Sequence, residues 1–522
     1  MSFKLTYATM FEPPEALHAS FEAACGRVRE RLGGRYLLYI GGEERASARY
    51  FAKTNPANTA ETLGEFAAAT PEDADAALEA AARAFPAWRT TPLAERARLL
   101  RRVAQLIEER VYDLAAVLTL EVGKNRMEAL GEVQESADFF TLYTQDFEAQ
   151  RGFDRALPDD PVAGYASHNR SLLKPHGPWV VIAPFNFPLA LMAGPTAAAL
   201  ITGNTVVAKG ASATPWADRL FADCIRDADL PPGVFNYLSG PGAVTGAQLI
   251  ASPLTAGATF TGSFAVGMGI VRALQSGPYP RPCIAEMGGK NACIVTAHAD
   301  LGRAALGIVR SAFGMGGQKC SALSRLYVQA SVADALTQAL TQQIQAIRIG
   351  NPSHRENWLG PVTTASAYEK YAHYCAELRS GDARVLTGGE PLRSQGLERG
   401  YYVRPTLAEA PVTHKLWQEE MFLPILMMHR VDTRETAMHL ANESALGLTA
   451  GFYGGADEVA WFNEHIQAGT TYANRPQGAT TGAWPGYQAF GGWKGSGSTG
   501  KAIGSFYYLP QYLREQSQTV VE

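Results

Sequence analysis

The stretch PWVVIAPFNFP, residues 178–188, decides the fold that we predict for this chain of 522 residues. Its apolar first half is typical of a buried strand, and Pro184 and Pro188 bound a turn. A helix-forming run of small residues follows to about residue 201, and further apolar runs lie at 205–209, 234–238 and 258–261. Strands separated by helices of this length predict an α/β fold with a parallel, doubly wound sheet.

A second α/β unit is predicted after Glu286, with strands near 291–296, 325–329, 424–430 and 448–453. Long amphipathic patterns at 71–86, 93–122 and 126–150 predict helices, which we interpret as scaffold. We expect three parts: a cofactor domain of residues 1–154 and 175–285, a catalytic domain of residues 286–474, and a small β bridging element of residues 155–174 and 498–522. Exposed strand edges need a partner, so this element predicts a homo-oligomer, a dimer or higher.

Composition excludes several classes of protein. With 46% hydrophobic and 18% charged residues, the chain is typical of a soluble globular protein. A formal net charge of -4 provides no basic field for nucleic acid. No apolar run reaches the roughly 18 residues of a membrane span. The six cysteines form no CxxC pair, which argues against a disulfide scaffold or a zinc site and predicts a reducing, cytoplasmic location without a bound metal.

Three residues carry the chemistry that we expect. Cys320 lies in the glycine-rich segment GMGGQKCS, residues 314–321, and its flanking groups, Lys319 among them, could tune it toward the reactive thiolate. Glu286 stands at a strand end before a tight turn, and Asn186 lies in the turn after the first strand. Taken one at a time, Cys320 could be a buried packing residue, Glu286 an ion-paired carboxylate and Asn186 a turn residue. Together they suffice for acyl-enzyme chemistry at an aldehyde.

Ligands of doubly wound sheets bind beyond the carboxyl ends of the strands. Gly262 and Ser263 open a helix that carries Gly267, so backbone donors and a helix N-terminus could hold a pyrophosphate. Further residues that fall at this edge of the predicted sheet are Asn186, Lys209, Gly240 and Gly242.

From about residue 36 to its C-terminus the chain resembles the NAD(P)-dependent aldehyde dehydrogenase superfamily. Seven pieces in the right order carry this resemblance: PFNFP (184–188), GN (203–204) with Lys209, FTGS (260–263), EMGGK (286–290), GQKC (317–320), EEMF (419–422) and FGG (490–492).

The resemblance implies a role for each catalytic position. Cys320 would attack the aldehyde, and the thiohemiacetal oxyanion would be stabilised by the Asn186 side chain and the Cys320 N–H. Glu286 would activate the water that hydrolyses the thioester.

Further positions of the resemblance concern the cofactor. Lys209 and Glu420 match positions that bind cofactor ribose, and Phe422 matches one on the nicotinamide side. Ser212 stands where many relatives have Glu, which removes a repulsion of the NADP 2′-phosphate. The expected cofactor is therefore NAD, with NADP possible.

Three further features are the charged helix before RYLLYIGG (35–42), Ser321 after the nucleophile, and TGA (481–483) before the terminal glycine motif. With these features the chain most resembles, within the superfamily, the L-glutamate γ-semialdehyde (pyrroline-5-carboxylate) dehydrogenases of proline catabolism. This implies that Ser321 and the backbone of Gly482 and Ala483 hold the substrate α-carboxylate, while Phe185 and Phe490 clamp its aliphatic stem. The loop between Asn474 and Phe490 is longer than expected for this subgroup. Gly482 and Ala483 belong to this loop, so their placement depends on how the extra residues are arranged.

Alternatives from two classes remain open. A hydrolytic dehydrogenase for another aldehyde would have the same motifs but a different substrate pocket. An inactive structural relative would have the fold alone, although the presence of Cys320, Glu286 and Asn186 together argues against it, and a cofactor-reduction assay decides. A CoA-acylating enzyme would generally lack the hydrolytic glutamate.

Overall fold

The computed structural model describes residues 13–161, 164, 166–394, 396–476 and 484–522. Within these ranges the helices, in chain order, are α1 (Glu15–Arg29), α2 (Pro71–Trp88), α3 (Leu93–Glu109), α4 (Val111–Val122), α5 (Arg126–Ala149), α6 (Ala190–Ile201), α7 (Pro215–Arg226), α8 (Ala247–Ala251), α9 (Phe264–Gln275), α10 (Leu301–Phe313), α11 (Ala330–Gln345), α12 (Ala365–Ser380), α13 (Arg434–Asn442) and α14 (Glu458–His465).

The strands of the same ranges are β1 (Gly34–Tyr36), β2 (Leu38–Ile40), β3 (Glu43–Arg45), β4 (Tyr50–Asn55), β5 (Asn58–Ala67), β6 (Asp154–Leu157), β7 (Ser167–Pro175), β8 (Pro178–Ile182), β9 (Thr205–Lys209), β10 (Phe235–Leu238), β11 (Gly257–Thr261), β12 (Cys283–Glu286), β13 (Asn291–Val295), β14 (Leu323–Gln329), β15 (Arg384–Thr387), β16 (Thr406–Glu409), β17 (Ile425–Val431), β18 (Leu446–Gly447), β19 (Thr449–Tyr453), β20 (Thr470–Ala473), β21 (Trp493–Lys494) and β22 (Leu513–Val521).

The first large sheet confirms the α/β prediction made from residues 178–188. Its strand order is β12-β11-β8-β9-β10-β2-β3, and the strands from β12 to β10 are parallel. The chain winds outward from β8 through β9 to β10, then returns to the other side of β8 with β11 and β12. The winding direction therefore reverses between β8 and β11, which is where ligands bind in such sheets.

The second large sheet repeats this plan with the order β15-β16-β17-β14-β13-β19-β20. Its strands from β16 to β20 are parallel, and β15 pairs antiparallel with β16. The strands β8, β9, β13 and β19 are buried almost throughout, as expected where helices cover both faces of a sheet.

The two parts of the predicted bridging element form one small sheet. β22 pairs antiparallel with β7 from Leu513–Pro175 to Val521–Ser167, and β6 covers the other edge of β7. β22 is exposed along most of its length and is an edge strand. The three-part division of the chain, with its boundaries, stays a prediction.

The single helix predicted over 93–122 is wrong in one respect, because the structure breaks it at Arg110. Arg110 has φ -104° and ψ 13°, outside the helical range, so α3 and α4 are separate. α3 is buried along one stripe, whereas nine consecutive residues of α4 from Leu114 to Val122 are buried. The chain therefore turns inward where the amphipathic pattern becomes apolar on all sides. None of the helices in the described ranges has the length and apolarity that a membrane crossing requires.

Candidate active site

The predicted nucleophile Cys320 lies on a tight loop between α10 and β14, as expected. The loop contains a 3₁₀ turn, Gly314–Gly317, in which Met315, Gly316 and Gly317 have positive φ. A Cβ atom at Gly317 would lie 2.4 Å from the Leu423 carbonyl oxygen, so only glycine fits there. The Cys320 carbonyl accepts a hydrogen bond of 2.8 Å from Asn291 Nδ2, which fixes the loop to the start of β13.

The environment of the thiol differs from the sequence expectation. Burial raises the pKa of Cys320 to about 12, and the negative charges of Glu420 and Glu286 add to the rise. The hydroxyl and backbone N–H of Ser321 oppose it by hydrogen bonding to the sulfur. Lys319 points elsewhere, with its Nζ 3.7 Å from Glu128 Oε1. Lys319 therefore does not act on the sulfur as a neighbouring cation, and burial dominates the pKa of Cys320.

Asn186 is brought to the same loop from the first sheet. It follows β8 in the turn that precedes α6, and its side chain is buried. Its Nδ2 donates a hydrogen bond of 2.9 Å to the carbonyl oxygen of Gln318, two residues before Cys320. One amide hydrogen is thus held by the loop, and among the described residues the second has no acceptor, so the oxyanion role of Asn186 stays a prediction.

Glu286 ends β12 and is buried. Its Oε2 has no hydrogen-bond partner among the described residues, and burial raises its pKa well above the usual value. An unpaired buried carboxyl group is costly to keep, which is typical of catalytic positions. A Cβ atom at Gly289, three residues after Glu286, would lie 2.4 Å from the Cys320 carbonyl oxygen, so the turn after Glu286 packs against the Cys320 loop.

The predicted cofactor residues gather at the carboxyl edge of the first sheet. Lys209 ends β9 and aligns with Ile182 on one neighbouring strand and Leu238 on the other. Burial lowers its pKa to about 8, against the attraction of Asp218. Ser212 Oγ donates a hydrogen bond of 2.7 Å to the Gly240 carbonyl. A Cβ atom at Gly242 would lie 3.7 Å from Lys209 Nζ, so Gly242 faces the lysine.

Gly262 and Ser263 connect β11 to α9 at the point where the winding reverses. Ser263 is the N-cap residue of α9, and its side chain makes no capping hydrogen bond, so the helix start is open to a ligand. Gly267 is buried one turn later, where a Cβ atom would lie 2.6 Å from Met287 Sδ. Its missing side chain lets α9 approach the chain after β12, and a direct cofactor contact of Gly267 stays a prediction.

Glu420 and Phe422 lie in the segment before β17, and each contacts a residue next to a predicted site position or at one. Glu420 Oε1 accepts a hydrogen bond of 3.0 Å from the Gly289 N–H, beside the turn after Glu286. Phe422 has a positive φ of 55°, and its ring meets Phe185 edge to face at 5.8 Å. Phe422, predicted to contact the nicotinamide, and Phe185, predicted to cover the substrate stem, are therefore in contact with each other.

The remaining substrate positions are only partly described. The Ser321 side chain is 6% exposed, and its carbonyl accepts from Thr449 Oγ1 at 3.2 Å. Phe490 is partly exposed and pairs with Ile503 through two backbone hydrogen bonds. Gly482 and Ala483 lie outside the described residues.

Helix α5, interpreted from sequence as scaffold, carries charged residues that sequence reasoning missed. Glu128, Glu132 and Glu135 follow the i, i+4, i+7 spacing of one helix face, which was the available signal. Burial raises the pKa of Glu135 to about 8, with the charges of Glu132 and Asp138 adding to it and those of Lys124 and Lys319 opposing it. No cluster of three or more His, Cys, Asp or Glu residues suited to a metal occurs within the described ranges.

Comparison with known proteins agrees with this geometry. Residues 43–517 match the profile of the Aldehyde dehydrogenase family. The chain is 37% identical over 514 residues to the 1-pyrroline-5-carboxylate dehydrogenase of Geobacillus sp. (strain WCH70), covering 97% of each. It is 37% identical to the enzyme of that name from Bacillus pumilus, covering 96% of each. Among solved structures it is similar to 1-pyrroline-5-carboxylate dehydrogenase from Thermus with bound NAD, with a TM-score of 0.92, 34% identity, and coverage of 100% of this chain and 99% of that one.

Proposed function

The chain belongs to the aldehyde dehydrogenase family, and from this premise we propose that it oxidises L-glutamate γ-semialdehyde, formed from pyrroline-5-carboxylate, to L-glutamate with NAD as cofactor. The observation that carries the chemistry is the meeting of Asn186 with the Cys320 loop through the Gln318 carbonyl, beside the buried Glu286. The observation that carries the substrate is the 37% identity to the pyrroline-5-carboxylate dehydrogenase of Geobacillus across 97% of both chains.

The first half-reaction uses Cys320 and Asn186. Once the Cys320 thiol has given its proton to water, the thiolate forms a C–S bond with the aldehyde carbon, and the carbonyl oxygen becomes an oxyanion. The second amide hydrogen of Asn186 and the Cys320 N–H stabilise that charge, and loss of one such donor typically costs about 3–4 kcal/mol. A bound nicotinamide cofactor supplies the acceptor for the hydrogen that leaves this carbon with its electron pair. A thioester on Cys320 remains.

Glu286 serves the second half-reaction. Its ionised carboxylate takes a proton from water, the hydroxyl attacks the thioester carbon, and the C–S bond breaks to release the new carboxylate of glutamate. The unpaired Oε2 supports this role, because it has a free acceptor site for the water. The raised pKa of Glu286 means that the base must lose its proton before it works.

The residues at the edge of the first sheet fit a dinucleotide. The open start of α9 offers backbone donors to phosphates, and Lys209 faces the glycines that follow β10. Lys209 and Glu420 would bind the two ribose groups, and Ser212 would lie beside the adenosine ribose. We propose NAD as the preferred cofactor, with NADP less disfavoured than it would be beside a carboxylate.

The α-carboxylate of the semialdehyde distinguishes it from simple aldehydes. We propose that the Ser321 hydroxyl donates to this carboxylate, together with the backbone of Gly482 and Ala483. Phe185 would cover the aliphatic stem, with Phe490 on its other side. A dehydrogenase for a different aldehyde is the second candidate, and the pocket formed by these residues decides between the two.

Assembly and compartment belong to the same proposal. We propose that the chain forms a homo-oligomer in which the exposed edge strand β22 pairs with a second copy, because a free strand edge of nine residues has unpaired backbone groups. A reducing compartment such as the cytoplasm suits the chemistry, because Cys320 must stay a thiol and all six cysteines are free.

The test of the function is product formation. Pyrroline-5-carboxylate and NAD should give reduced cofactor and glutamate in equal amounts, and Cys320→Ser should abolish both while leaving cofactor binding near normal. Cys25→Ser, at a buried position of α1, is the matched control and should leave the rate unchanged. Glutamate formation by Cys320→Ser within about tenfold of the wild-type rate would contradict the assignment.

A further inference from the structure

A fully buried ion pair joins the loop before α5 to α5 itself. Lys124 Nζ contacts Glu132 Oε2, and neither side chain is exposed. The other oxygen of Glu132, Oε1, accepts from the backbone N–H groups of Leu189 at 2.9 Å and Ala190 at 3.2 Å, at the start of α6. An anion at a helix N-terminus is favourable, so Glu132 fixes where α6 begins.

Lys124 fixes the same turn from a second direction. Its Nζ lies 3.6 Å from the centroid of the Phe187 ring, a close cation–π contact. Phe187 directly follows Asn186, and Leu189 and Ala190 come three and four residues after Asn186. The two partners of the ion pair therefore both contact the chain immediately after the proposed oxyanion donor.

We infer that Lys124 and Glu132 are positioning residues for Asn186, an inference that rests on the proposed function. Asn186 Nδ2 reaches Gln318 O at 2.9 Å only when its turn has the right place relative to the Cys320 loop. The Phe187 ring and the first N–H groups of α6 define that place. The ion pair thus holds the amide where its Nδ2 donates to the Gln318 carbonyl, two residues before Cys320.

Stability alone does not account for this pair. Two charges taken fully out of water often stabilise a fold no better than well-packed apolar residues of similar volume. In a catalytic turn the charged pair can instead fix the position of a side chain. Position matters there because a misplacement of about 1 Å can cost 10²-fold in rate. The same chain contains a matched comparison in Glu121, which accepts from Trp216 N at 2.7 Å and Ala217 N at 2.9 Å at the start of α7, with Lys53 as the nearby cation.

The test is a double-mutant cycle on the full-length enzyme, with the rate of the burst of reduced cofactor as readout. Glu132→Gln should slow the burst about 10- to 100-fold with an unchanged dissociation constant for reduced cofactor. In the Asn186→Ala background the same substitution should slow it less than about threefold, because no amide remains to be positioned. Glu121→Gln should lower the melting temperature without slowing the burst.

Three results would overturn the inference: equal slowing by Glu132→Gln in both backgrounds, no slowing at all, or equal slowing by Glu121→Gln. If Glu132→Gln does not fold, Lys124→Met replaces it in the same cycle. The methionine side chain keeps the packing on Phe187, and Glu132 keeps its two N–H donors. A normal burst in Asn186→Ala would instead overturn the oxyanion role in the proposed function, and with it this inference.

Discussion

Glu420 Oε1 accepts the backbone N–H of Gly289 at 3.0 Å, which holds its carboxylate beside the turn that follows the proposed general base. A Cβ atom at Gly288 would lie 2.0 Å from the other oxygen of Glu420, so this approach requires glycine. From this place the negative charge of Glu420 adds to the burial that raises the pKa of Cys320. If Glu420 binds a cofactor ribose hydroxyl, as we propose, this binding would therefore also act on the nucleophile.

Thiol reactivity should report this coupling. Because the pKa of Cys320 is raised, its thiolate fraction and its alkylation by iodoacetamide should increase steadily between about pH 7 and pH 10, without a plateau. Glu420→Gln removes a negative charge near the sulfur and should lower the pKa of Cys320. At about pH 8, each half unit by which this pKa falls should make alkylation roughly threefold faster. The matched control is Glu419→Gln, because the carboxylate of Glu419 accepts a hydrogen bond from the Tyr374 hydroxyl instead. Equal rates in the two variants would contradict the coupling.

The role of Glu286 separates the two half-reactions. Glu286→Gln should leave a burst of reduced cofactor and slow the following turnover by about 10²–10⁴-fold, because only thioester hydrolysis needs the base. Stopped-flow absorbance measures both phases, and mass spectrometry should detect the acyl group on Cys320. A variant with neither burst nor acyl-enzyme would contradict the role.

The raised pKa of Glu286 also predicts a pH profile. The base works only when ionised, so steady-state turnover should fall as pH decreases through the raised pKa, above the range of an ordinary glutamate. The burst does not need the base but does need the Cys320 thiolate, so it should fall steadily with pH and show no inflection at the pKa of Glu286. An inflection of both phases at the same pH would show that another group controls the profile.

Much of this site could be predicted from sequence because a parallel sheet places loop residues at one edge. Runs such as 178–182 and 205–209 gave the strands, and the register then puts Asn186 and Lys209 at their carboxyl ends. The surroundings of Cys320 could not be predicted in the same way. Lys319 is its neighbour in sequence, yet its ammonium faces Glu128, which is 191 positions away.

Helix α5 shows the same limit. The spacing of Glu128, Glu132 and Glu135 places them on one helix face, but periodicity does not say what that face contacts. Only the tertiary structure shows that Glu132 accepts from the first N–H groups of α6. A residue of a helix that sequence interprets as scaffold is here buried against the chain that follows Asn186.

Cofactor choice is tested at Ser212. Its hydroxyl donates to the Gly240 carbonyl at 2.7 Å, so a longer acidic side chain at this position would project beyond that bond toward the proposed ribose site. Ser212→Glu should lower kcat/KM for NADP relative to NAD by about tenfold, which corresponds to about 1.4 kcal/mol of repulsion. Ser212→Ala removes only the hydroxyl and should leave the ratio nearly unchanged. If Ser212→Glu also leaves it unchanged, position 212 does not face the adenosine ribose.

Substrate choice is tested at Ser321, whose hydroxyl has one role that the structure supports and a second that we propose. It lowers the pKa of Cys320, which would serve any aldehyde, and it is proposed to donate to the α-carboxylate, which serves only the semialdehyde. Charge-assisted hydrogen bonds contribute about 1.5–3 kcal/mol each. Ser321→Ala should therefore reduce kcat/KM for glutamate γ-semialdehyde about 10- to 100-fold more than for pentanal, an uncharged aldehyde with the same number of carbon atoms. Equal losses for both would assign Ser321 to the thiol alone, and a wild-type enzyme that prefers pentanal would contradict the proposed substrate while leaving the aldehyde dehydrogenase chemistry intact.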